Sequence, residues 1–140
     1  MSLTGFCVQY INKYFTDVKK NMPTLIAAVF VTGGLGALAR LGCQILGKKV
    51  TLDFPIGTIA ANILAAFFIG IVMPLELTFE LKAVIASGFI GSLGTLSSVC
   101  SDMFLLVKDR EFLKTLYYVV CTVCLGYLAF TLGKSCGGLV

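Results

Sequence analysis

Apart from Arg40 and Asp102, the charged residues between positions 23 and 132 gather in or beside three short connections. Four apolar runs remain: about Pro23 to Leu46, Pro55 to Met73 or Pro74, Ala83 to about Val107, and Leu113 to about Leu132. At about 1.5 Å per helical residue, runs of this length are matched to a bilayer core of roughly 30 Å. Only 13% of the 140 residues are charged and 58% are hydrophobic, whereas a soluble domain is about a quarter charged. The chain therefore reads as an all-α membrane protein with four transmembrane helices. Residues 23–140 form one membrane domain, and 1–22 a separate N-terminal segment, amphipathic or disordered.

That first segment carries Phe6, Tyr10, Tyr14 and Phe15 at helical spacing, with Lys13, Asp17, Lys19 and Lys20 between them. A helix on the membrane surface suits the pattern, and so does a loosely ordered tail. No signal-peptide cleavage pattern is read there.

Several function classes fall away. The chain has no His, and no nucleophile–base pair can be named, so an enzyme is not expected. Four of the six cysteines (43, 100, 121 and 124) lie in apolar runs, where a free Cys behaves as a small hydrophobe. Cys121 and Cys124 have CxxC spacing without a second such pair, so no zinc or redox centre is expected. No nucleotide-binding motif and no nucleic-acid partner are read.

The polar content of the spans is concentrated. The third span holds Gly88-Phe-Ile-Gly-Ser-Leu-Gly-Thr-Leu-Ser-Ser-Val-Cys-Ser-Asp102, poor material for an unbroken helix from Gly91 onward. Irregular backbone at membrane depth is tolerated where it is buried in protein or lines a wet cavity. The stretch is thus either an ion or substrate site or a seam of small residues between helices. Arg40, in Thr32-Gly-Gly-Leu-Gly-Ala-Leu-Ala-Arg40, is the basic residue within a span; it either snorkels or has a function. Asn62 in the second span acts as interhelical glue or faces a water-filled cavity. In the fourth span Tyr118, Thr122 and Gly126 share one helix face, as a polar track or as packing residues.

Four spans put both termini on one side. Lys13, Lys19, Lys20, Lys82 and Lys134 fall on that side, against Lys48, Lys49, Lys108, Arg110 and Lys114 on the other. Five against five gives no orientation bias, which suits an antiparallel dimer of oppositely inserted copies.

Three segments carry a resemblance: Gly33-Gly-Leu-Gly-Ala-Leu-Ala-Arg40, Phe54-Pro-Ile-Gly-Thr-Ile-Ala-Ala-Asn62 and Gly88-Phe-Ile-Gly-Ser-Leu-Gly-Thr-Leu-Ser-Ser98. Together with the run from Tyr118 to Gly133, they resemble the signature segments of the Fluc/CrcB fluoride channels over about residues 23 to 133. The resemblance implies a dual-topology dimer in the plasma membrane with two fluoride pores and a broken third helix. It also implies a structural sodium ion on the dimer axis, held by backbone carbonyls at Gly91 and Gly94, the latter where the family usually has Thr. The family's polar pore groups fall on Asn62, Ser97, Ser98, Tyr118 and Thr122. Arg40 matches a first-helix arginine, and Asp102 stands where a Glu is usual; both are expected at the vestibule.

One departure stands out. Two pore phenylalanines of the family are replaced by Leu96 and Val99, which offer no positive ring edge to an anion. The resemblance then implies an altered pore, a poorly conducting one, or a heterodimer whose second homologous subunit supplies the rings. A non-conducting assembly subunit is the alternative. A small multidrug-type antiporter, also four spans, would want an acidic residue in its first span, and this one has none.

Overall fold

The computed structural model describes residues 3–51 and 54–139, and only the backbone of residues 3–21. All of its regular structure is helical. Helix α1 runs over Leu3–Val50, α2 over Ile56–Val72, α3 over Phe79–Ala83, α4 over Gly91–Leu93, α5 over Leu96–Lys108 and α6 over Phe112–Gly137. A π-helical stretch, Val84–Ile90, joins α3 to α4. Phe79–Lys108 thus makes one interrupted crossing, and with α1, α2 and α6 the chain crosses four times, up and down.

Met22–Val50, Phe79–Lys108 and Phe112–Gly137 are long and apolar enough to span a membrane. Helix α2 has 17 residues, or about 26 Å, and is the short member of the bundle. Helix α1 continues through Pro23 instead of starting there. Lys19 to Met22 contain no glycine to stop it, so the proline removes one backbone hydrogen bond without ending the helix. The aromatic and lysine pattern of residues 6 to 20 concerns side chains outside the described residues.

Close helix approach explains much of the glycine content. Helices α2 and α6 meet where a Cβ on Gly70 would strike the Phe130 carbonyl oxygen, one on Gly133 that of Phe67, and one on Gly137 that of Ile71. Helix α1 meets α2 at Gly47 and Gly57: a Cβ on Gly47 would lie 2.5 Å from the Gly57 nitrogen. Against the third span α1 presents Gly36, whose Cβ would strike the Phe89 carbonyl oxygen, and Thr32, which a Cβ on Gly88 would strike. Small residues at such crossings let membrane helices pack backbone to backbone.

Two apolar clusters fill the bundle. Ala61, Ala65, Ile90 and Leu93 hold α2 against the first half of the third span. Ile59, Val99, Leu106 and Tyr118 hold α2, α5 and α6 together, with Phe54 stacked edge-on against Tyr118.

Candidate ion pathway at the broken helix

The third span departs from α-helical geometry twice. The first departure is the wide π turn, packed on α1, where the Thr32 hydroxyl reaches the Val84 carbonyl at 3.3 Å. Stretches of this kind are rare and concentrate at functional sites. The second is a full break. Gly94 (φ −96°, ψ 125°) and Thr95 (φ −138°, ψ 134°) are extended, so α4 ends at Leu93 and α5 begins at Leu96. Helix ends leave carbonyls behind the break and N–H groups ahead of it without intrahelical partners.

Gly94 is glycine for reasons of space. Its φ suits any residue, but a Cβ there would sit 2.6 Å from the Ala65 Cβ and 3.2 Å from the Asn62 Oδ1. Gly91 differs: it is exposed, and a Cβ would meet only the Ala86 carbonyl oxygen, at 3.3 Å. The two glycines expected to share one role therefore face different surroundings, Gly94 its own α2 and Gly91 the outside of the protomer.

A polarised hydrogen-bond chain covers the break. Arg40 Nη1 donates to Thr95 Oγ1 at 3.0 Å, and Thr95 Oγ1 donates to Ser98 Oγ at 2.9 Å. Thr95 spends its proton on Ser98, and among the described residues no bond takes up the Ser98 proton. Asn62 Nδ2 gives one proton to the Thr58 carbonyl in its own helix (3.1 Å) and keeps a second. This bond is within α2, and among the described residues no hydrogen bond joins the Asn62 side chain to another helix, although its Oδ1 faces Gly94. Among the described residues Arg40 has no carboxylate partner; the ion pair found there, Lys114–Glu111 at 3.1 Å, is at a turn.

The fourth-span hydroxyls are committed elsewhere. Tyr118, 0% exposed, donates to Asp102 Oδ2 at 3.2 Å, and Thr122 donates to the Tyr118 carbonyl at 2.7 Å. Asp102 also lines a cavity of about 490 Å³ at the end of the bundle where α1 turns into α2 and α5 into α6. Arg40 does not line that cavity, so the two residues expected at the vestibule occupy different places. The replaced phenylalanine positions also part company. Val99 is 9% exposed, inside the Tyr118 cluster, while Leu96 is 76% exposed, with Ser97 beside it on the outer surface.

Sequence reasoning left Thr95 without a role, although it links Arg40 to Ser98. The one available signal was its position as the residue between a glycine break and a new helix, where Thr is a favoured cap. The cavity at the turns left no linear signal, because its lining comes from four helices and the connections between them.

A helical bundle with long apolar spans, the third of them broken and donors collected at the break, defines the class: a multi-pass membrane protein. Residues 27–134 match the family described as "CrcB-like protein, Camphor Resistance (CrcB)", and the chain belongs to that family. It is 33% identical over 118 residues to a protein of Hydrogenobaculum sp. (strain Y04AAS1) named "Fluoride-specific ion channel FluC", covering 81% of this chain and 97% of that one. It is 34% identical over 122 residues to "Fluoride-specific ion channel FluC 1" of Leifsonia xyli subsp. xyli (strain CTCB07), covering 84% and 89%. A protein of the same name from Staphylococcus aureus (strain NCTC 8325 / PS 47) is 33% identical over 115 residues, covering 79% and 93%.

Proposed function

We propose that this chain is a subunit of a fluoride-selective channel that lets fluoride leave the cytoplasm passively across the plasma membrane. The observation that carries the reading is the donor arrangement at the break: Arg40 to Thr95 to Ser98, with Asn62 alongside. Fluoride is small and strongly hydrated, and it sheds water only where several N–H and O–H donors replace it. A positive charge that has no carboxylate partner among the described residues, held within a span, favours an anion there. The names of the relatives agree with this chemistry.

The working unit is an antiparallel, dual-topology dimer. After the break the third span leaves Leu96, Ser97, Cys100 and Ser101 exposed, and before it Gly91. Hydroxyls turned to lipid have no partners there, so a second copy crossing at Gly91 would cover this face and complete two pores. The backbone carbonyls released between Gly91 and Gly94 are the oxygen donors a hard cation takes, and they fit a structural sodium ion on the dimer axis.

A second reading rests on Leu96 and Val99. Without ring edges, the chain works in a heterodimer whose homologous partner supplies them, conducting in part or serving as an assembly subunit. Fluoride efflux from liposomes separates the two readings. Efflux with this chain alone supports the homodimer; efflux that appears only when a phenylalanine-bearing subunit is added supports the heterodimer. A chain inactive in both settings would overturn both.

A further inference from the structure

The cavity at the α1–α2 and α5–α6 turns ends one helical turn from the donors at the break: Thr58, in its lining, accepts from Asn62, and Asp102, also in the lining, follows Ser98 by four residues on α5. Among the described residues Lys48, Asp102, Asp109, Glu111 and Lys114 line it, three carboxylates against two ammonium groups. Glu111 and Lys114 neutralise each other as a pair, and Asp102 sits deeper, accepting the Tyr118 proton. Asp109 and Lys48 are left: both are exposed, both line the cavity, and neither has a salt-bridge partner among the described residues. Asp109 ends α5, and Lys48 lies in the last turn of α1. Helix C-termini carry partial negative charge, which reinforces Asp109 and offsets Lys48.

We infer that Asp109 and Lys48 act as opposed electrostatic controls on anion entry, Asp109 slowing and Lys48 speeding the arrival of fluoride through this cavity. The inference rests on the channel reading and adds to it what sets the entry rate. Charges lining a cleft with low-dielectric walls change local ion concentration and on-rates, and salt screens the effect. A unit charge within about 8 Å of the ion path, seen through water, changes entry by about two- to threefold.

The test uses the full chain in liposomes and a graded series at one position, Asp109, Asp109→Asn and Asp109→Lys, with Lys48→Gln beside it. Initial fluoride efflux is read at about 10 mM and about 1 M ionic strength, where the screening length falls from about 30 Å to about 3 Å. At low salt the rate should rise in the order Asp, Asn, Lys, by about two- to threefold per step, and Lys48→Gln should lower it about as much. At high salt the four rates should converge. Rates that ignore the charge at 109, or differ equally at both salt concentrations, overturn the inference while leaving the channel reading intact. Absence of fluoride efflux from every member of the series, both alone and with a phenylalanine-bearing subunit added, overturns both.

Discussion

The third span is two different helices on either side of Thr95. Before the break, Gly88, Ile90 and Leu93 are buried and the backbone lies hard against α1. After it, Leu96, Ser97, Cys100, Ser101 and Phe104 are exposed, and α5 holds to the bundle mainly through Val99 and Leu106. Both halves are rich in small residues. In the first half smallness permits contact inside the protomer, whereas in the second the small residues are polar and turn outward. Small and polar residues in a membrane helix are thus not one signal: glycine against backbone is structural, and hydroxyl groups beside a broken backbone are candidates for function.

The largest expected effect lies in the first half. Gly36→Leu drives a side chain into the Phe89 carbonyl, which belongs to backbone and cannot swing aside. It should cost at least the roughly 1–3 kcal/mol of an overpacked core and abolish the folded protein in a detergent melt. A melt like that of the wild type would show that α1 and the third span do not pack as described.

Next come the donors at the break. Asn62→Leu should lower fluoride flux about tenfold or more, while costing about 1 kcal/mol or less in stability, the worth of one neutral hydrogen bond. Ser98→Ala should lower flux more than Thr122→Val, because the Thr122 proton is already given to the Tyr118 carbonyl. Equal losses at 98 and 122, measured at matched incorporation, would mean that the hydroxyls rearrange when an anion enters.

The two missing rings separate in the same way. Leu96→Phe adds an exposed ring and should raise flux about fivefold, if a ring-edge contact is worth about 1 kcal/mol. Val99→Phe instead presses on Ile59, Leu106 and Tyr118 and should cost about 1–3 kcal/mol in stability. A channel already as fast as a phenylalanine-bearing relative would remove the reason for either change. The smallest effect is at the α5–α6 turn, where Arg110 holds a left-handed φ of 58°. Arg110→Gly should stabilise by about 0.5–1 kcal/mol, a strain of about 1–2 less the entropy of glycine, seen as a small rise in Tm.

Four crossings and a broken third span were legible because they depend on local composition: long apolar runs, and a Gly-Ser-Leu-Gly-Thr segment that cannot sustain a helix. The π turn at Val84–Ile90 was not, since it depends on how the Thr32 and Gly36 face of α1 docks. Nor was the reach of Arg40 to Thr95, a contact between residues 55 apart in sequence. Leu96 and Val99 are three apart and read as a pair. Yet Leu96 is the first residue of α5 and stands clear of the bundle, while Val99 is already inside it. Asn62 was legible as important, but its partner, the Thr58 carbonyl one turn back in α2, was not.

The account rests on a pore completed across the face that Gly91 presents outward, and paired efflux measurements test that most directly. Fluoride and chloride release would be followed together from liposomes holding wild type or Gly91→Leu, with oligomeric state measured on the same samples. Wild type should release fluoride and retain chloride, and Gly91→Leu should remain folded as a monomer and release neither. A monomeric Gly91→Leu that conducts fluoride as fast as wild type would contradict the account.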